Sequence, residues 1–226
     1  MAEKPHYHEH RARLRQRFTE RGAEALADYE MVELLLFSAL PRRDVKPLAK
    51  RLIDKFGGLP GLLAADTRSI TEVDGAGDAA AHAVQLAGAL SRRSLQDDVR
   101  ERQVIGSWDK LLDYCTAAMA HNSTEQFRIL FLDHRNGLIA DEVQQEGTVN
   151  HVPLYPREVI KRALELQASA IILVHNHPSG DTTPSDMDID MTKEVMAAGA
   201  KLGVKVHDHL IIGRGSHSSM KTLGLI

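Results

Sequence analysis

The sequence predicts an α/β (α+β) protein in two parts, a helical N-terminal domain followed by an α/β C-terminal domain. Three observations predict this. From Arg11 to about Arg93, apolar residues recur near the 3.6-residue period of an amphipathic helix. From Phe127 onward, short β-rich runs alternate with helical ones. Between the two lies Ser94–Gln103, polar, charged and without an apolar stripe, which reads as a linker over 94–104.

In the first part, Met1–His10 reads as a flexible tail with His6, His8 and His10 solvated. The helical domain spans 11–93. Ala25, Leu26, Met31 and Leu34–Leu36 form one apolar stripe, which Pro41 ends. Val45, Leu48, Ala49, Leu52 and Ile53 form a second, closed by Gly57-Gly58. A short helix is expected near Leu59–Ala65. The turn Asp74-Gly75-Ala76-Gly77 then leads into an Ala-rich helix from Asp78 to Leu90. The second part, 105–226, opens with a helix around Ser107–Ala120. Phe127–Asp133 is a strand bounded by the turn Arg135-Asn136-Gly137, and Leu138–Gln144 and Thr148–Val152 are the next strands. Pro156 opens a helix through about Gln167. Ala170–Val174 is a buried strand, Ser185–Leu202 a helix and Lys205–Ile212 a final strand.

Composition narrows the function. The longest apolar runs are too short to span a bilayer, and the polar N-terminus carries no secretory pattern. The expectation is a cytoplasmic protein with no membrane partner. One cysteine, Cys115, excludes a disulfide framework and a Cys-rich zinc ribbon, and its apolar helix predicts burial. Net charge is +1 over residues 1–100 and −4 over the remainder, so bulk charge does not call for nucleic acid. A local basic cluster stands at Arg11, Arg13, Arg15 and Arg17, a pattern that usually marks a solvated face.

The chemistry concentrates between Val174 and Asp188. His175 and His177 follow a buried strand, and alternate residues of an extended chain point to one side. A Pro/Gly-rich loop then enters a helix whose first turn holds Asp188. Two imidazoles and a carboxylate form a ligand set that Zn2+ accepts with one position open for water. Each piece also has an ordinary structural reading. Ser185-x-x-Asp188 is a helix capping box, and a lone His-x-His at a strand end is commonly no ligand pair. The three together are hard to assemble by chance. There is no His-Glu-x-x-His, and a nucleobase deaminase would need paired cysteines. The second His-x-His, His207-Asp208-His209, reads as structural or as a support for the first rather than as ligands.

His175-x-His177, seven residues, then Ser185-x-x-Asp188 resembles the motif of the JAMM (MPN+) metalloproteases. The closer resemblance is to the bacterial RadC family. It rests on Thr148-Val149-Asn150, Pro156-Arg157-Glu158, His175-Asn176-His177-Pro178-Ser179-Gly180, Pro184-Ser185-Asp186 and Asp208-His209 before Leu210-Ile211-Ile212-Gly213. The resemblance implies a cytidine-deaminase-like/JAMM (MPN) α-β-α C-terminal domain. It implies His175, His177 and Asp188 as zinc ligands, and Ser185 as a donor to the reacting carbonyl oxygen. It also implies a catalytic glutamate upstream, at the start of a strand. Glu125 fits best; Glu146 and Glu158 are the rivals, the latter in a first helical turn where a carboxylate is favourable anyway. The implied reaction is hydrolysis of a peptide or isopeptide bond in a protein or peptide substrate.

Ile70–Asp78 and the helix after it resemble a helix-hairpin-helix, in which Gly75 and Gly77 would present backbone N–H groups to a DNA phosphate. Yet no Lys or Arg lies between Thr71 and Ser91, and a plain helical packing module accounts for the same residues. The competing function is a DNA-associated repair or recombination accessory protein whose zinc site is not catalytic.

Overall fold

A computed structural model describes residues 7–100, 108–147 and 154–226. The chain divides into two compact units, Met1–Ser91 and Arg92–Ile226, each with its own core.

The first unit is helical. α1 (Tyr7–Arg21), a single 3-10 turn, α2 (Asp28–Ala39), α3 (Lys46–Phe56), α4 (Leu59–Ala64), α5 (Thr67–Thr71) and the start of α6 (Asp78–Arg100) follow in order. Their apolar faces meet around Leu36, Leu52, Leu62 and Ile70, all fully buried. α3 ends where Gly57 takes the left-handed conformation at φ 69°, and its N–H bonds Ile53 O, as the double glycine predicted. Two expectations need correcting. Residues 7–10 of the expected tail are helical, and His10 Nε2 lies 2.6 Å from the buried Glu33 carboxylate. The expected linker is helical through Arg100, while 101–104 lie outside the described residues. This stretch contains neither Gly nor Pro to end the helix, and Leu95 packs on the core of the second unit.

The second unit is an α-β-α sandwich. α7 (Trp108–Met119) precedes β1 (Glu125–Leu132) and β2 (Leu138–Gly147). α8 (Pro156–Glu165), β3 (Ala170–Asn176), α9 (Asp186–Ala200), β4 (Lys205–Ile212) and β5 (His217–Ser219) follow. The sheet order is β2-β1-β3-β4-β5; β3 and β4 are parallel and the other neighbours antiparallel. Side-chain alternation sorts the strands into two faces. Leu130, Leu132, Ile172, Val174, Leu210 and Ile212 pack on α7, with Cys115 buried among them. Phe127, Ile129, Phe131, Ile171 and Leu173 pack on α8 and α9. The expected strand Thr148–Val152 lies outside the described residues, and β5 is an addition to the expected set.

Two local features position the site. Asn136 adopts φ 61° in the β1–β2 turn, as its Asn-Gly sequence allows, which sets the register of β1. The second is in β4. Ile171 pairs with Val206, but Ile172 pairs with Asp208, so His207 is an extra residue, a β-bulge. Without it His209 would lie opposite Val174 and face α7; with it His209 lies opposite Leu173 and faces α8 and α9, as His175 does. Among the described residues no helix is long and apolar enough to cross a membrane.

Candidate metal centre

The site lies where β3 ends and α9 begins, at the carboxyl end of the parallel strand pair, where such sheets place ligands. His175 is the sixth residue of β3 and is fully buried. His177 N–H donates to Ile212 O at 2.9 Å, so the extended conformation runs on past the strand and brings His177 to the same side as His175. The two Nε2 atoms are 2.9 Å apart. Asp188 Oδ1 is 3.5 Å from His175 Nε2, and Asp188 Oδ2 is 4.0 Å from His177 Nε2. One ligand atom from each residue lies within 4.8 Å of the others. Two N donors and one O donor on a tetrahedral zinc would stand about 3.3 Å apart. The triangle is close to that size with no rearrangement of the backbone.

The hydrogen bonds say which ring nitrogens are bare. His177 Nδ1 is 2.5 Å from Asp181 O, an acceptor only, so Nδ1–H donates and the neutral ring keeps a lone pair on Nε2. His175 Nδ1 is 2.8 Å from His209 Nε2, and His209 Nδ1 is 2.6 Å from Thr192 Oγ1. Burial pulls His175 well below the ordinary histidine range, with the facing His177 adding to it and Asp188 opposing it. Burial does the same to His209. Both rings are therefore neutral at physiological pH. Two imidazole edges and a carboxylate packed this closely form an arrangement that a divalent metal satisfies, and the donor set suits zinc.

The ring planes are held from beneath. The Phe127 ring stacks on His175 at 5.7 Å with an 8° tilt and meets His209 edge-on at 5.4 Å. The loop 177–183 is clamped to the β4–β5 turn. Ser218 Oγ donates to Thr182 Oγ1 at 3.0 Å, and Gly213 lies so close that a Cβ there would come within 2.7 Å of Gly180 O and Thr182 Cγ2.

Ser185 caps α9 and completes the capping box. Its Oγ accepts from Asp188 N and donates to Asp188 Oδ2 at 2.6 Å, and Asp188 Oδ2 accepts from Ser185 N at 2.8 Å. The structural reading of these two residues therefore holds, and it aims the Asp188 carboxylate at the two histidines. Glu125 opens β1, half-buried. Phe127 pairs with His175, so the register brings Glu125 level with His177 and onto the sheet face that carries Phe127 and both histidines. Of its rivals, Glu146 lies within β2 with its backbone paired to Gln126. Glu158 stands on the exposed first turn of α8 beside Arg157, 3.2 Å away.

Two residues without an assigned role in the sequence, Asn176 and Thr192, matter here, and Asp208 takes the structural role expected of it. Asn176, between the two histidines, accepts from Gln126 N at 2.9 Å and donates to Thr124 O at 3.1 Å. Its amide grips the peptide groups on either side of Glu125. Thr192 is one turn after Asp188 on the same helix face, a spacing that would have pointed to it. Asp208 accepts from His209 N, Ser219 Oγ and Lys221 N, which ties β4 to β5.

A family model for the RadC-like JAB domain matches residues 105–225. The chain belongs to the RadC family. A second model, the UPF0758 N-terminal domain, matches residues 7–82. The RadC-like match implies a JAMM/MPN-type fold for the second unit of this RadC-family chain, in agreement with its mixed five-stranded sheet. In the first unit, Arg43 Nη1 donates to Gly75 O at 3.2 Å and Arg51 Nη2 to Asp74 O at 2.8 Å, so basic groups do flank the Gly75–Gly77 turn from α3 and the segment before it. They hold its carbonyls. Of the basic cluster, Arg11 is buried, bonding Leu40 O at 2.5 Å and Arg43 O at 2.6 Å, and Arg17 pairs with Glu30. Arg13 and Arg15 are exposed. Of the four, Arg11 is internal scaffolding, while Arg17 stands partly exposed with the other two.

Proposed function

We propose that the protein is a zinc-dependent hydrolase of peptide or isopeptide bonds. The observation that carries this is the convergence of two imidazole Nε2 atoms and the Asp188 carboxylate on one point, next to the strand end that bears Glu125. His175, His177 and Asp188 would hold the metal. When bound, zinc polarises a carbonyl and lowers the pKa of water towards about 7. Glu125 accepts the proton of the attacking water on its carboxylate and returns it to the departing amide nitrogen. Asn176 keeps that carboxylate in place through the backbone of β1. The Ser185 hydroxyl, at the rim of the site, would turn its proton from Asp188 Oδ2 to the carbonyl oxygen as charge develops there. Loop 177–183 is pinned on β4–β5, so the ligands are set before substrate arrives.

DNA association through Gly75 and Gly77 has less behind it, because the nearby arginines are engaged with the turn's own carbonyls.

Metal analysis of the purified chain, paired with a chelator-sensitive assay on a fluorogenic peptide library, tests the proposal. One zinc per chain is expected, lost in His175→Ala and in Asp188→Ala. Glu125→Gln is expected to keep the zinc and to lose about 100- to 10,000-fold in turnover. A wild-type chain that takes up no zinc, or a Glu125→Gln variant as active as wild type, overturns it.

A further inference from the structure

His209 is not placed to bind a metal itself. It is fully buried, and both of its nitrogens are already in short contacts, Nε2 with His175 Nδ1 and Nδ1 with Thr192 Oγ1. The direction of those contacts follows from the far end of the chain of bonds. Thr192 Oγ1 is 2.5 Å from the backbone oxygen of Asp188, one turn earlier in α9. A carbonyl oxygen only accepts, so the single hydroxyl proton of Thr192 points to Asp188 O. What Thr192 offers His209 is then a lone pair, and His209 Nδ1 must carry the proton between them. A neutral ring protonated at Nδ1 is bare at Nε2. His209 Nε2 therefore accepts, and His175 Nδ1–H donates to it. His175 is left bare at Nε2, the atom that faces His177 and Asp188.

We propose that Thr192 and His209 are positioning residues that lock His175 in the Nδ1–H tautomer and so keep its Nε2 open to a divalent cation. The proposal rests on the metal reading of the site. The relay begins on the backbone of Asp188 and ends at His175, so two of the three ligands are oriented by one string of hydrogen bonds. Its weak point is Thr192. Without that hydroxyl, His209 is free to hold its proton on Nε2 and donate to His175 Nδ1. His175 would then carry a proton on Nε2, where a metal would otherwise bind.

The test uses the full-length chain. Long-range proton–nitrogen NMR of the metal-free protein at neutral pH reports which nitrogen of each histidine is protonated, and competition with a chromophoric chelator gives the zinc affinity. Wild type is expected to show Nδ1–H at both His175 and His209. Thr192→Val, similar in shape and lacking the hydroxyl, is expected to move His175 to Nε2–H and to weaken zinc by about 10- to 100-fold. Thr192→Ser is expected to restore the wild-type tautomer and affinity. A role in packing alone would lower thermal stability in Thr192→Val and leave the tautomer and affinity unmoved, which overturns the proposal. An Nε2–H tautomer at His175 in the wild-type protein overturns it without recourse to any variant. A wild-type chain that shows the expected tautomers yet binds no zinc sinks the metal reading instead, so the two failures are separable.

Discussion

Asn176 shows how much a single side chain settles. It is buried on β3 between two histidines, yet its own bonds run sideways to β1. Replacing it with alanine leaves Gln126 N and Thr124 O without their partner, a cost of about 1–3 kcal/mol for buried polar groups. Asn176→Ala is therefore expected to lower the urea midpoint, to retain zinc and to lose hydrolysis, because what it releases is the backbone around Glu125. Loss of zinc with unchanged hydrolysis would refute that role. His175, His177 and Asp188 were legible in the sequence because their placement depends on local rules: alternation along an extended chain and a four-residue capping box. Asn176 was not, because its importance lies in a contact made 50 residues away, and the spacing of Thr192 from Asp188 marks its helix face but not its contact with His209 17 residues on. Cys115 was read as buried and inert, and the structure agrees: burial pushes its thiol up to about 12, with Asp141 adding to the shift.

At the scale of elements, the loop 177–183 is the part most exposed to disturbance. It holds His177 through Asp181 O and rests on Gly213. Gly213→Ala drives a methyl group into Gly180 O and the Thr182 methyl, both 2.7 Å from the ideal Cβ position. The loop must lift, at a cost of about 1–3 kcal/mol. Zinc affinity is expected to fall more than global stability does, which parallel chelator titration and thermal melts would show; equal affinity in both proteins counts against the clamp. Most strands and helices were readable from periodicity and turn chemistry, including the Asn136-Gly137 turn and the Gly57 helix end. α6 was cut short because its last turns carry no apolar stripe, and the stripe is the signal that periodicity depends on. The first helix was missed over residues 7–10 because His10 looks like a tail residue until Glu33, 23 positions on, is brought beside it.

For the molecule as a whole, histidine burial sets an acid limit on the second unit. His175 and His209 sit below their ordinary range in the folded chain, chiefly through burial, and His121 and His207 are lowered by burial in the same direction. Unfolded histidines take up protons below about pH 6.5. The folded ones resist, so the unfolded state binds more protons there and stability falls as pH falls. Urea melts of the metal-free chain are expected to show a clearly lower midpoint at pH 5 than at pH 7; an unchanged or higher midpoint at pH 5 would contradict the burial of these rings.

The bulge at His207 has a consequence for how this domain tolerates change. One surplus residue reverses the phase of everything after it in β4, and only in that phase does the imidazole of His209 look inward. The surplus residue is itself anchored, His207 Nε2 lying 2.8 Å from Asn136 Oδ1 in the β1–β2 turn. Straightening β4 through that position, with every residue chemically intact, would turn the supporting ring to the opposite layer of the sandwich.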